Sequence, residues 1–193
     1  MPGIIAQSVI FATMGTGFSL SQDVEKGIFD RFRSLPIARS APLIGAILGD
    51  LVRYAITVGM VMLVGLAIGF RPEGGPGGAL LASGLILLFA FALCWMSAFV
   101  GMIVRTPMAV QSFAMILLFP LTFGSSAFVA PDDMPGWLAP IAVNNPVTHV
   151  VDAMRGLMLG GDVVEPVTWT LVWTVIITAI FFPLAVWAYR RRT

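Results

Sequence analysis

Charge is what this 193-residue chain has least of. Lysine, arginine, aspartate and glutamate make up 11% of it, while 58% is hydrophobic and the mean hydropathy is +0.94. A soluble domain carries about a quarter charged residues, so a water-soluble globular fold is excluded. The single cysteine, Cys94, lies in an apolar run, which rules out a disulfide framework, and one cysteine with one histidine, His149, is too little for most zinc or haem sites. The glycines of Gly74-Gly75-Pro76-Gly77-Gly78 are not followed by Lys-Ser/Thr, so they read as a short flexible turn and not as a phosphate loop. If ATP is used, another polypeptide must bind it, and no cofactor is expected in this chain. The net charge of +1 means little, because what matters is which loops hold the charges, and no nucleic-acid partner is expected. Met1-Pro2-Gly3-Ile4 lacks the basic start of a signal peptide, so the first apolar stretch reads as a retained span.

What the chain does have is long apolar runs. At about 20 residues per crossing, five spans fit: 2–20, 51–70, 79–104, 108–128 and 167–189. The fold class is therefore an all-α integral membrane protein with five transmembrane helices, and 1–193 forms one domain. When the connectors are assigned alternately to two sides, one side collects Lys26, Arg31, Arg33, Arg39, Arg53, Arg105 and Arg190-Arg191-Arg192, nine of the eleven basic residues. Basic residues accumulate on the cytoplasmic face, which puts the N-terminus outside and the C-terminus inside.

The charge that exists is concentrated. Of 11 basic and 10 acidic residues, seven fall between Asp23 and Arg39. Ser21 or Asp23 can cap a helix here, with Asp23 and Glu25 at its positive end, and Pro36 should end it at Leu35. Ile28, Phe29, Phe32 and Leu35 then share one arc, opposite Lys26, Asp30, Arg33 and Ser34. A second helix, with Ser40 as cap and Pro42 in its first turn, can run into the next span carrying Asp50 and Arg53, which are spaced to pair. From the residues alone, the island is equally a lipid-surface helix or a docking element for a cytoplasmic protein; an anionic-lipid sensor would want a denser basic cluster than this mixed-charge helix supplies.

Residues 130–165 are too polar to span and too apolar for a plain loop. Asp132-Asp133-Met134-Pro135-Gly136-Trp137-Leu138 reads as a cap and short interfacial helix, with Trp137 at the headgroup level. Asn145-Pro146 and Gly160-Gly161 bracket a second helix, with Val147, Val150, Val151, Met154, Leu157 and Met158 on one face and His149, Asp152 and Arg155 on the other. A relay or metal role for His149 beside Asp152 competes with plain solvation. Within the spans, Gly15, Gly17, Gly59, Gly65, Gly69 and Gly101 allow close helix contact, and Gln7 and Gln111 should face protein or water because an amide is costly against lipid. The many Phe and Met side chains suit bulky amphipathic ligands, but for any one of them lipid-facing filler is the favoured reading.

Glu25-Lys26-Gly27-Ile28-Phe29-Asp30-Arg31-Phe32-Arg33-Ser34-Leu35-Pro36-Ile37-Ala38-Arg39-Ser40 resembles the cytoplasmic segment of type-2 ABC exporter membrane subunits, most of all the daunorubicin/doxorubicin resistance permeases. Asn144-Asn145-Pro146-Val147-Thr148 and Val151-Asp152-Ala153-Met154-Arg155-Gly156-Leu157 are similar to the same family before its last span. The resemblance implies that 21–40 is a coupling segment in which Glu25, Lys26, Gly27, Asp30, Arg31, Phe32, Arg33, Ser34, Leu35 and Pro36 dock on an ABC ATP-binding subunit. It implies that Asn145, Pro146, Asp152 and Arg155 belong to short or re-entrant helices closing the extracellular end, over 130–165. It further implies a homodimer in a bacterial plasma membrane, no catalysis in this chain, ATP and magnesium on the partner, and export of an amphipathic small-molecule cargo such as a drug, a secondary metabolite or a lipid-linked molecule. The family has six spans, so the resemblance also places Met1 at the opening of the family's second span. The rivals are an intramembrane lipid-modifying enzyme, for which Asp132, Asp133, His149 and Asp152 are the available groups, and a non-transporting scaffold.

Overall fold

A computed structural model describes residues 1–28, 41–104, 106–126 and 142–192, apart from the side chain of Arg192. Within them the chain is helical: α1 (Pro2–Glu25), α2 (Ala41–Ala67), α3 (Gly75–Ile103), α4 (Pro107–Phe123), α5 (Pro146–Leu159) and α6 (Val164–Arg192). Among the described residues, α1, α2, α3 and α6 are long and apolar enough to cross a membrane, and α4 is apolar but shorter.

The fourth expected span therefore needs correcting. It was to reach Phe128, yet α4 stops at Phe123 after 17 residues, with Gly124 as its C-cap. At 1.5 Å per residue it covers about 26 Å, short of the roughly 30 Å hydrocarbon core. Thr106 caps its start, the side chain accepting from the Ala109 N–H.

The expected cap at Ser21 or Asp23 is also absent, because α1 runs through both. Nothing between Phe18 and Lys26 breaks a helix, and polar side chains alone do not stop one already in progress. Gly27 does, at φ +66°, where a Cβ would be strained. Lys26 N–H donates to the Gln22 carbonyl (2.9 Å) and Gly27 N–H to the Val24 carbonyl (3.1 Å). Asp23 and Glu25 thus close α1, and do not open a new helix.

The bundle is built around α3, which packs most extensively on α6 and α1 and also touches α2, α4 and α5. Trp95 lies edge-on to Phe182 of α6, with ring centroids 4.7 Å apart. Against α1 the approach is backbone to backbone. A Cβ on Gly17 would strike the Ser97 carbonyl, and one on Gly101 would strike that of Gly17. Two of the expected contact glycines are thus used as such, whereas Gly59 and Gly69 face open space.

The glycine-rich turn is tighter than expected. α3 begins at Gly75 and not at Ala79, with Pro76 in its first turn, where its missing N–H leaves no bond unmade. Gly74 and Gly78 both lie against the Leu157 carbonyl of α5, at distances that leave no room for a side chain. Gly74 N–H donates to the Met158 carbonyl at 3.2 Å. What read as a flexible turn is a packing surface.

Candidate functional site

The residues expected to dock a cytoplasmic partner are only partly within the described structure. Glu25 and Lys26 are exposed at the end of α1, next to Gly27. Asp30, Arg31, Phe32, Arg33, Ser34, Leu35 and Pro36 lie outside the described residues, as does the expected interfacial helix at 132–138. On the far side of this segment, α2 begins at Ala41 and runs unbroken to Ala67. Asp50 and Arg53 pair within it, at 2.9 Å.

The residues expected at the other end are brought together. α5 starts at Asn145-Pro146 and stops at Gly160 (φ +80°), the bounds that the sequence indicates. It is more enclosed than a helix lying on a membrane surface. Val147, Val150, Val151, Ala153, Met154 and Met158 are all buried, against α1, α3 and α6. Thr148, Asp152 and Arg155, with the capping Asn145, turn instead to the end of α4. A helix leaves its last carbonyls unpaired, and where lipid replaces water those groups need donors from the protein. Asn145 Nδ2 donates to the Leu121 carbonyl (2.6 Å) and to that of Gly124 (3.2 Å), while its Oδ1 accepts from the Val147 N–H (2.9 Å). Arg155 donates to the Ser126 carbonyl (2.8 Å) and to Asp152 Oδ1 (3.1 Å). Ser126 completes the knot: its hydroxyl donates to Asp152 Oδ1 (2.8 Å) and its N–H to Thr148 Oγ1 (3.1 Å). One short helix thereby finishes another. Ser126 and Thr148 were not singled out from sequence, because only the end of α4 gives them partners.

A second polar junction lies in the middle of the bundle and has no sequence motif. Tyr54 of α2, Thr16 of α1 and Cys94 of α3 are fully buried. Tyr54 Oη donates to the Ala12 carbonyl (3.1 Å) and lies 2.6 Å from Thr16 Oγ1, which is 3.7 Å from Cys94 Sγ. Next to it, Gly17 N–H donates to Ser97 Oγ at 3.1 Å. The available signal was Tyr54 itself, one of two tyrosines in the chain. A phenol inside an apolar helix needs a partner.

His149 stacks on Trp169 of α6, with centroids 5.8 Å apart and planes 19° from parallel. Burial holds its pKa below the ordinary 6.5, an effect that Asp152 and Glu165 oppose. Among the described residues, no three His, Cys, Asp or Glu side chains gather as a metal site. Of the two glutamines, Gln111 is exposed on α4 and Gln7 is half-buried on α1.

Comparison with known proteins agrees with the sequence resemblance. The family described as ABC-2 type transporter matches residues 1–159. A daunorubicin resistance ABC transporter permease protein of Streptomyces coeruleorubidus is 38% identical over 192 residues, which cover 100% of this chain and 68% of the relative. A doxorubicin resistance ABC transporter permease protein of Mycobacterium tuberculosis (strain H37Rv) is 29% identical over 183 residues, covering 89% of this chain and 62% of the relative. The chain thus spans about two thirds of these relatives' length.

Proposed function

The chain belongs to the ABC-2 type transporter family as a permease subunit, and on this premise we propose that it exports amphipathic drugs, secondary metabolites or lipid-linked molecules. It is a multi-pass membrane protein. Such subunits hydrolyse no ATP and hold no cofactor; both tasks fall to a separate ATP-binding subunit. The cargo class is supported by the relatives, whose names record resistance to daunorubicin and doxorubicin.

In this reading two copies form the pathway in a bacterial plasma membrane, with the C-terminus in the cytoplasm. α4 serves as a fifth, short crossing. Segment 21–40 seats in a cleft of the ATP-binding subunit, and ATP-driven closure of two such subunits displaces the adjoining ends of α1 and α2. At the extracellular end, α5 caps the bundle through Asn145, Asp152 and Arg155. These residues act mechanically, with no covalent step.

The observation that carries the reading is the 38% identity to the daunorubicin permease across the whole chain. The test is to express the chain with its ATP-binding subunit and prepare inverted membrane vesicles. Co-purification of the two proteins and ATP-dependent uptake of daunorubicin are expected. A chain that binds no ATP-binding subunit would overturn the proposal.

A further inference from the structure

α2 is loosely enclosed for a helix so near the force-bearing segment. Its buried residues are Leu43, Ile47, Tyr54, Val58 and Gly65. Beyond Tyr54 it parts from α3, leaving a cleft of about 630 Å³ lined by Val58, Met62, Leu66, Pro76, Ala79 and Leu87. Met1 rests on Gly65 at the far end. Apolar contacts are non-directional, and with so few buried residues α2 has little interdigitated packing to fix its position along its axis. Hydrogen bonds are directional. Among the described residues, those joining α2 to other helices are both made by Tyr54, to Ala12 and to Thr16.

The protons can be assigned. The Ala12 carbonyl only accepts, so the Tyr54 hydroxyl proton goes to it. Thr16 must then donate to Tyr54, and the Cys94 thiol to Thr16. The bonds run one way, from α3 through α1 to α2 and back to α1. The junction sits midway along α2, between the Ala41 end beside the proposed coupling segment and the stretch that borders the cleft.

We propose that Tyr54 is a positioning residue that fixes the axial register of α2 against α1 and α3, so that displacement of the Ala41 end changes the width of the α2–α3 cleft. Without the pin, α2 slides and the displacement is dissipated. This inference rests on the exporter reading and on force entering through segment 21–40.

The test uses the full chain with its ATP-binding subunit in proteoliposomes, comparing daunorubicin moved per ATP hydrolysed. Tyr54→Phe removes both hydrogen bonds; Thr16→Val removes one from the other side, and Thr16→Ser restores it. Tyr54→Phe and Thr16→Val should keep ATP hydrolysis within about twofold of wild type; Thr16→Val should lower cargo moved per ATP about three- to tenfold, the range equivalent to one buried hydrogen bond, and Tyr54→Phe, which loses two, at least as far. Thr16→Ser should match wild type. Spin labels at Leu63→Cys and Leu80→Cys, across the cleft, should change separation on ATP binding in the parent protein and not with Tyr54→Phe. If Tyr54→Phe does not accumulate, Thr16→Val decides. An unchanged cargo-to-ATP ratio, or transport and hydrolysis falling together, overturns the inference and leaves the exporter reading intact. A wild-type complex that moves no cargo overturns the exporter reading first.

Discussion

Asn145 and Leu121 are joined by a 2.6 Å hydrogen bond from the side-chain amide of one to the main-chain carbonyl of the other. The same side chain caps α5, so a single residue starts one helix and finishes its predecessor. Asn145→Ala removes both functions and should destabilise the purified protein by about 1–3 kcal/mol, the cost of leaving buried polar groups unpaired. Asn145→Asp keeps the cap but places a carboxylate against two carbonyl oxygens. It should lower the melting temperature at least as far as Asn145→Ala, and thermal unfolding in detergent reads both.

The α1–α3 crossing makes a contrast between glycines. Gly17→Ala and Gly101→Ala each set a methyl against a backbone carbonyl of the other helix, and backbone cannot rotate away as a side chain can. Each should cost about 1–3 kcal/mol and reduce accumulation in the membrane. Gly59→Ala, on α2 with nothing near it, should be neutral or better. Quantitative immunoblotting with melting curves separates these outcomes.

His149 gives a pH dependence with a definite sign. Its folded-state pKa lies below 6.5, so the unfolded chain binds the proton first as pH falls. Its stabilising contribution is complete above about pH 6.5 and is lost on acidification toward the depressed folded value. Asp152 and Glu165 face the ring and limit the effect without reversing it. Melting temperatures at pH 7.5 and 5.5 should differ more for wild type than for His149→Gln.

At the proposed cytoplasmic interface, Glu25→Arg and Arg33→Glu should each weaken co-purification of the ATP-binding subunit, by about tenfold or ~1.4 kcal/mol. Membrane insertion should be unaffected, as judged by protease protection. Binding equal to wild type would remove Glu25 and Arg33 from the interface.

What could be read in advance divides along physical lines. Local signals were legible. Asn145-Pro146 and Gly160 bound α5 because caps depend on neighbours in sequence, and Asp50 and Arg53 pair because three residues of helix bring them together. Apolar length located α1, α2, α3 and α6, and overestimated α4, since composition does not reveal that Gly124 ends it. Of the glycines at 74–78, Gly75 uses the freedom the sequence announces, at φ +65°, while Gly74 and Gly78 are needed for closeness, which only a partner helix reveals. The Tyr54–Thr16 bond joins residues 38 positions apart, and the polar knot ties Ser126 to Asp152 across 26. No periodicity encodes either. Capping the end of α4 could be inferred from the requirement that buried carbonyls find donors, though not which side chains would supply them.

The seat of the Leu157 carbonyl on Gly74 and Gly78 has one more consequence. With the Gly74–Met158 bond it welds the far end of α5 to the head of α3, the spine on which α1 and α6 also pack. A lid hinged on the molecule's edge could lift while the rest stood still. In the proposed reading, where α5 caps the pathway, the Gly74 and Gly78 contacts tie the cap to α3, so opening that end would carry α3 with it.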